Sequence, residues 1–109
     1  MAHTGQLIKA RAELGCEVMA DKCVFTAATV HHRRPRGAGG SHRADTNSAA
    51  NGLAICPPCH ERVERRRSWA YEHGYLLHQT EDPLLVAVWW RGWQWVTLDD
   101  AGGMTAVKR

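Results

Sequence analysis

Three groups of residues in this 109-residue chain have types and spacings that could do chemistry. Cys56 and Cys59 are separated by two residues, which lets both sulfurs reach one ion from a single turn. Cys16 and Cys23, separated by six, would complete a tetrahedral set of thiolates around zinc. Four buried free thiols, or a bridge in any of three pairings, are the alternatives. The second group is His31-His32 together with His60, since imidazoles bind divalent ions and exchange protons near neutral pH. A histidine taken singly is usually a polar surface residue. A zinc shared by Cys56, Cys59 and residues just before His31 would, however, bring His60 close to the other two. The third group is a run of eight arginines between His31 and Arg67 (33, 34, 36, 43, 62, 65, 66 and 67), against only Asp45, Glu61 and Glu64. Such a local positive field suits a polyanion, with a solvated basic helix face as the alternative.

These groups sit in a chain with little else to hold it together. Mass and length give a single domain over residues 1–109. Leu, Ile, Val and Phe number only 19, because 15 alanines inflate the apolar fraction of 44%. A core that thin calls for a staple, and the cysteines are the available one. No apolar stretch follows Met1, so no secretory signal is expected. The longest apolar run, Leu84 to Trp90, is seven residues, well below the roughly 20 of a spanning helix. A cytoplasmic location without a membrane anchor follows as the expectation. Its reducing conditions favour metal ligation over disulfides.

The elements that must position the chemistry can be read from pattern. Thr4 to Leu14 predicts a short helix capped by Thr4 and ended by Gly15, with Leu7, Arg11 and Leu14 on one stripe. Val24 to His32 predicts a strand ending at the histidine pair. Arg33 to Asn51 is a long Gly- and Pro-containing loop, of a length that is functional or disordered in compact domains. Leu53 to Ile55 predicts a short strand. Pro57-Pro58 opens a helix running to about His73 and stopped by Gly74. A strand over 75–79 follows, and then a hairpin from Leu84–Trp90 and Trp93–Leu98 around Arg91-Gly92. A two-residue turn there would pair Trp90 with Trp93 and Val88 with Trp95, placing Trp90, Trp93 and Trp95 on one packed face. Residues 102–109 read as a frayed tail.

The run His31-His32-Arg33-Arg34, then Gly39-Gly40, then Asn51-Gly52-Leu53-Ala54-Ile55-Cys56-Pro57-Pro58-Cys59-His60 resembles the HNH endonucleases and their ββα-metal core. The resemblance spans Cys16 to about Arg67. It implies a ββα-metal motif core over 16–74; with the zinc knuckle of Cys16, Cys23, Cys56 and Cys59, a Trp-rich C-terminal hairpin over 75–100 and a tail over 101–109 read from spacing and pattern, the expected fold is α+β. The resemblance makes His31 and His60 ligands of a catalytic cation, His32 the general base, and Asn51 the residue that hydrogen-bonds backbone across the long loop to fix how His32 is presented. Many members carry Asp where His31 stands, so the cation is left open among Mg2+, Mn2+, Ni2+ and Zn2+. Glu64, one turn after His60 where some members carry a third histidine, reads as a solvated helix carboxylate, with ligation as the alternative.

The activity implied is hydrolysis of DNA phosphodiesters to 5′ phosphate and 3′ hydroxyl ends. His32 would take a proton from water, with the cation at His31 and His60 stabilising the departing 3′ oxygen. Arg33, Arg34, Arg36 and Arg62 would hold DNA phosphates. Small stand-alone proteins of this type look like phage-encoded HNH nucleases, some of which assist the terminase; the resemblance therefore extends to DNA and a phage terminase as partners, to the host cytoplasm, and to a monomer or homodimer. The rival from another class is a zinc-dependent DNA- or protein-binding module whose histidines are structural.

Overall fold

The computed structural model describes residues 4–35 and 47–109. Its element order is α1 (Thr4–Ala12), β1 (Thr29–His32), a short 3-10 turn (Ala49–Asn51), β2 (Gly52–Ile55), α2 (Pro57–Arg65), α3 (Arg67–Glu72), β3 (Val88–Trp90), β4 (Gln94–Leu98) and β5 (Met104–Ala106). The result is a small α+β molecule with two separate antiparallel sheets, β1-β2 and β3-β4-β5. Among the described residues no helix is long and apolar enough to cross a membrane.

β1 and β2 pair with Thr29 opposite Ile55 and His32 opposite Gly52, so the histidine pair lies at the end of the hairpin next to the loop. All four residues of β2 are buried, consistent with a short apolar strand covered on both faces. Gly52 sits where a Cβ would meet the end of the Ile8 side chain, so its absence lets α1 lie closely on β2. α2 starts at Pro57 with the proline pair at its first positions and presents Cys59 and Val63 to the core. That core joins Leu53, Ile55, Val63 and Ala70 to Tyr75, Leu76, Val88, Val96 and Leu98, with the buried cysteines at its margin.

Several expected boundaries move, each for a visible reason. α1 ends at Ala12 because Glu13 and Leu14 take positive φ (51° and 65°); Leu14 is consequently 70% exposed, and Ile8, Arg11 and Ala12 form the buried stripe. Thr4 is itself helical and not the cap. The strand expected from Val24 begins only at Thr29, since the chain turns through positive φ at Lys22 and Phe25 to present Cys23. The long helix is two: backbone at Arg66 (φ −116°, ψ 64°) breaks it and redirects α3 so that Ala70 is buried and Trp69 meets Tyr75. Residues 75–79 form no strand, because their backbone groups bond elsewhere: the Tyr75 carbonyl accepts from His31, and the Leu77 N–H donates to the Arg33 carbonyl.

The C-terminal hairpin is present, but with register Trp89↔Trp95 and Trp90↔Gln94 and a three-residue loop. Arg91 and Gly92 both adopt positive φ, which a loop of this length accommodates. A one-residue shift exchanges the faces of a strand. Trp90 is therefore buried, Trp89 faces Trp95 across the pair, and Trp93 is left 66% exposed at the loop. The expected shared face of Trp90, Trp93 and Trp95 does not form. The segment read as a frayed tail supplies β5, which pairs with β4 from Val96↔Ala106 to Leu98↔Met104.

Candidate active site

The four cysteines meet. Cys16 and Cys23 come from the loop after α1 and Cys56 and Cys59 from the start of α2, and their sulfurs lie within 4.8 Å of one another, with Cys56 and Cys23 at 3.5 Å. Zinc–sulfur bonds of about 2.3 Å in a tetrahedron need sulfurs just under about 4 Å apart, so the set fits a structural zinc. Backbone N–H groups of Met19 and Phe25 point at the Cys16 and Cys23 sulfurs. Burial pushes the Cys23 thiol up to about 11 and the Cys59 thiol up as well. Burial acts in the same direction on Cys56, but there N–H groups of Cys59 and Val24 outweigh it and bring the thiol down to about 7. Crowded sulfurs oppose one another's ionisation, and a divalent cation among them reverses that opposition. Three of the four are buried, and all four have free thiols.

A second cluster forms one turn along α2. Donor atoms of His31, His60 and Glu64 lie within 4.8 Å of one another. β1 supplies His31, and α2 supplies His60 and Glu64, which face the same way because they are four residues apart. The His31 and His60 rings are 5.3 Å apart, and His60 Nε2 lies 3.7 Å from Glu64 Oε1. His31 Nε2 donates to the Tyr75 carbonyl at 2.8 Å, which leaves the lone pair on Nδ1 and fixes the ring. Burial also holds the His31 pKa down at about 4, so the ring is neutral and able to ligate across the physiological range. One buried imidazole, one half-buried imidazole and an exposed carboxylate form a three-donor face open to solvent that could hold a metal ion.

His32 borders the same cleft, a cavity of about 250 Å3 lined by Val30, His31, His32, Pro35, His60 and Glu64. Its Nε2 donates to Asn47 Oδ1 at 3.1 Å, leaving Nδ1 as the basic nitrogen. Asn51 is buried and grips the far side of the loop: its Oδ1 accepts from the Arg34 N–H at 2.8 Å and its Nδ2 donates to the Arg34 carbonyl at 3.2 Å. The Arg33 N–H donates in turn to the Asn51 carbonyl. These bonds tie the two residues after His32 to the start of β2.

The arginines divide differently from expectation. Arg33 is fully buried, and its guanidinium donates to the carbonyls of Gly74, Ala50, Pro83 and Val86. Arg34 is 1% exposed and donates to the Glu81 carbonyl. Neither head group can reach a DNA phosphate: carbonyls of the 74–86 segment hold both inside the molecule. Arg62 is ion-paired to Asp21 at 3.5 Å and lies over the Trp69 ring. Arg36, like Arg43, lies outside the described residues.

Sequence reading also passed over residues that build the site's frame. Glu17 is fully buried and accepts both Nε and an Nη of Arg11, the Ala54 N–H and the Trp90 indole N–H, joining α1, β2 and β3. Nothing in its spacing distinguishes it. Glu64 did carry a signal, its four-residue offset from His60 on a helix. No family model, curated protein or solved structure matches the chain.

Proposed function

We propose that the protein is a metal-dependent endonuclease of the HNH type, hydrolysing DNA phosphodiesters. The observation that supports this best is the convergence of His31, His60 and Glu64 donor atoms within 4.8 Å beside His32 in one open cleft. A divalent cation held there supplies Lewis-acid stabilisation of charge on the phosphate and the departing 3′ oxygen.

The chain's own residues do the rest. His31, fixed by the Tyr75 carbonyl, presents Nδ1; His60 and Glu64 present their donors from one helix face. His32 removes a proton from the attacking water with Nδ1, and its bond to Asn47 keeps the ring aimed. Asn51 holds the backbone after His32 and so positions the base. With Arg33 and Arg34 turned inward, the phosphate contact beside the cleft falls to the exposed Arg67, whose head group lies 3.6 Å from Glu64. The donor set mixes two imidazoles with one carboxylate, which suits Mn2+, Ni2+ or Zn2+ better than the all-oxygen preference of Mg2+.

Nicking of supercoiled plasmid with each of these ions, with chelator as the control, tests the proposal. Conversion to open circles that depends on the added ion supports it. A protein that holds zinc and binds DNA but cuts under no ion would instead be the zinc-dependent binding module.

A further inference from the structure

The back of α2 carries a second feature that the cleft does not use. Around the helix, His60 and Glu64 occupy one face, Cys59 and Val63 the core face, and Pro58, Glu61, Arg62 and Arg65 the remaining one. Two adjoining cavities open on that remaining face. One, of about 210 Å3, is lined by Lys22, Arg62, Arg65 and Arg66, with Asp21 and Glu61 as the carboxylates. The other, of about 290 Å3, is lined by Trp69, His73, Tyr75 and Trp89. Asp21 and Arg62 border both, so the two form one groove with a basic end and an aromatic end.

The aromatic end is half-buried rather than sealed, with Arg62 lying over the Trp69 ring at the border between the two ends. Trp69, His73 and Trp89 are half-buried; Trp69 lies 5.3 Å from His73 and 5.1 Å from Tyr75, and Trp89 5.2 Å from Trp95. At the basic end four cations face two carboxylates, each of which pairs with one of them: Asp21 with Arg62 and Glu61 with Arg65. Arg66 and Lys22 are exposed and form no ion pair among the described residues. Cations adjoining half-buried rings are the footprint by which proteins hold unpaired nucleotides, with the backbone on the charge and the base on the ring. Bases inside a duplex are already stacked on both faces and cannot enter such a pocket.

We propose that this groove binds a single-stranded nucleic-acid segment, with phosphate at Lys22, Arg65 and Arg66 and a base against Trp69 and Trp89. It is a site distinct from the His31–His60–Glu64 cleft and rests on the nuclease reading only for the class of polymer. A protein ligand with aromatic or acidic side chains is the competing occupant.

The test uses the whole 109-residue zinc-loaded chain carrying His32→Ala, so that no cleavage intervenes. A single-stranded oligothymidylate of about eight nucleotides, its abasic counterpart and a blunt duplex are titrated, reading both anisotropy and tryptophan fluorescence. The expected results are quenching by the oligothymidylate, a roughly tenfold weaker affinity for the abasic strand, and a roughly tenfold loss of oligothymidylate binding in Trp69→Ala. Because Trp69 also packs against the core, the exposed double variant Arg65→Glu/Arg66→Glu is measured in parallel. It should weaken both single strands while leaving the unfolding temperature unchanged. Oligothymidylate binding that is unquenched, no tighter than abasic binding, or untouched by the double variant overturns the proposal and leaves the protein ligand as the occupant. Plasmid nicking by the native sequence is scored separately, so a nuclease without this groove and a groove without nuclease activity give different results.

Discussion

At the residue scale, the same histidine type is put to different uses by its surroundings. His31 is buried against a carbonyl and stays neutral; His32, its neighbour, is half-buried and bonds the Asn47 side-chain amide instead. The His31 pKa of about 4 lies below its unfolded value of 6.5, so in the window between them the unfolded chain takes up a proton that the folded one refuses. Stability from this group is therefore complete above about pH 6.5 and falls as pH drops toward 4, by at most about 3 kcal/mol. Urea unfolding of the native sequence and His31→Gln over that range, without added second-site cation, should show the difference between them shrinking toward acid. Arg33 makes a stronger case for burial over charge. Replacing it with Leu leaves four carbonyls without a donor and should cost about 3 kcal/mol or more in urea unfolding. Spacing made the cysteines and histidines legible in the sequence, because metal ligation constrains which positions can meet. No such constraint marked Arg33 and Arg34: a run of arginines looks the same whether it faces solvent or a cage of carbonyls.

At the element scale, α2 serves two sites. Its first turn contributes Cys56 and Cys59 to one cluster, and the next contributes His60 and Glu64 to the other. Zinc among the sulfurs would fix where α2 begins, and hence how far His60 stands from β1. Cys56→Ser should reduce bound zinc from about one per chain to near none and lower the unfolding temperature. It should also abolish nicking in a way that excess Mn2+ does not restore, measured by metal analysis, thermal unfolding and plasmid assay on the same sample. Gly74, just after α3, is a second fixed point. Its φ of 77° and the nearness of the Ala87 carbonyl leave no room for a Cβ, and its own carbonyl accepts from Arg33. Gly74→Ala should destabilise by about 2 kcal/mol or more in urea unfolding. Element types were legible where a period or a breaker marked them, as in β2 and the proline start of α2. The hairpin register was not, because Arg91-Gly92 fits a two-residue or a three-residue loop equally well and only burial of Trp90 against Glu17 decides.

At the scale of the whole molecule, the positive field survives but moves. Four arginines (11, 33, 34 and 91) bond to internal backbone carbonyls, so among the described residues of the His31–Arg67 run the exposed arginines are those where α2 gives way to α3. On the nuclease proposal, duplex affinity should fall as salt rises, and Arg67→Ala should reduce the slope of log affinity against log salt by about one. Anisotropy across a salt series measures this. A buried Arg11–Glu17 pair at 2.7 Å and the cysteine cluster together tie α1, the β1-β2 hairpin and the C-terminal sheet into the frame that a thin aliphatic core could not supply alone. The need for a staple was visible from composition; the ion pair was not, since its six-residue spacing runs from α1 into the irregular segment after it and matches no helix or strand period.

The cleft's proposed chemistry is tested most directly by plasmid nicking with His32→Ala beside the native sequence, under the ion that supports the highest rate, with bound metal counted in both. Nicking that falls about a hundredfold or more while metal content and unfolding temperature stay the same is the predicted result. Undiminished nicking by the variant, or none by the native sequence with both clusters metal-loaded, would contradict it.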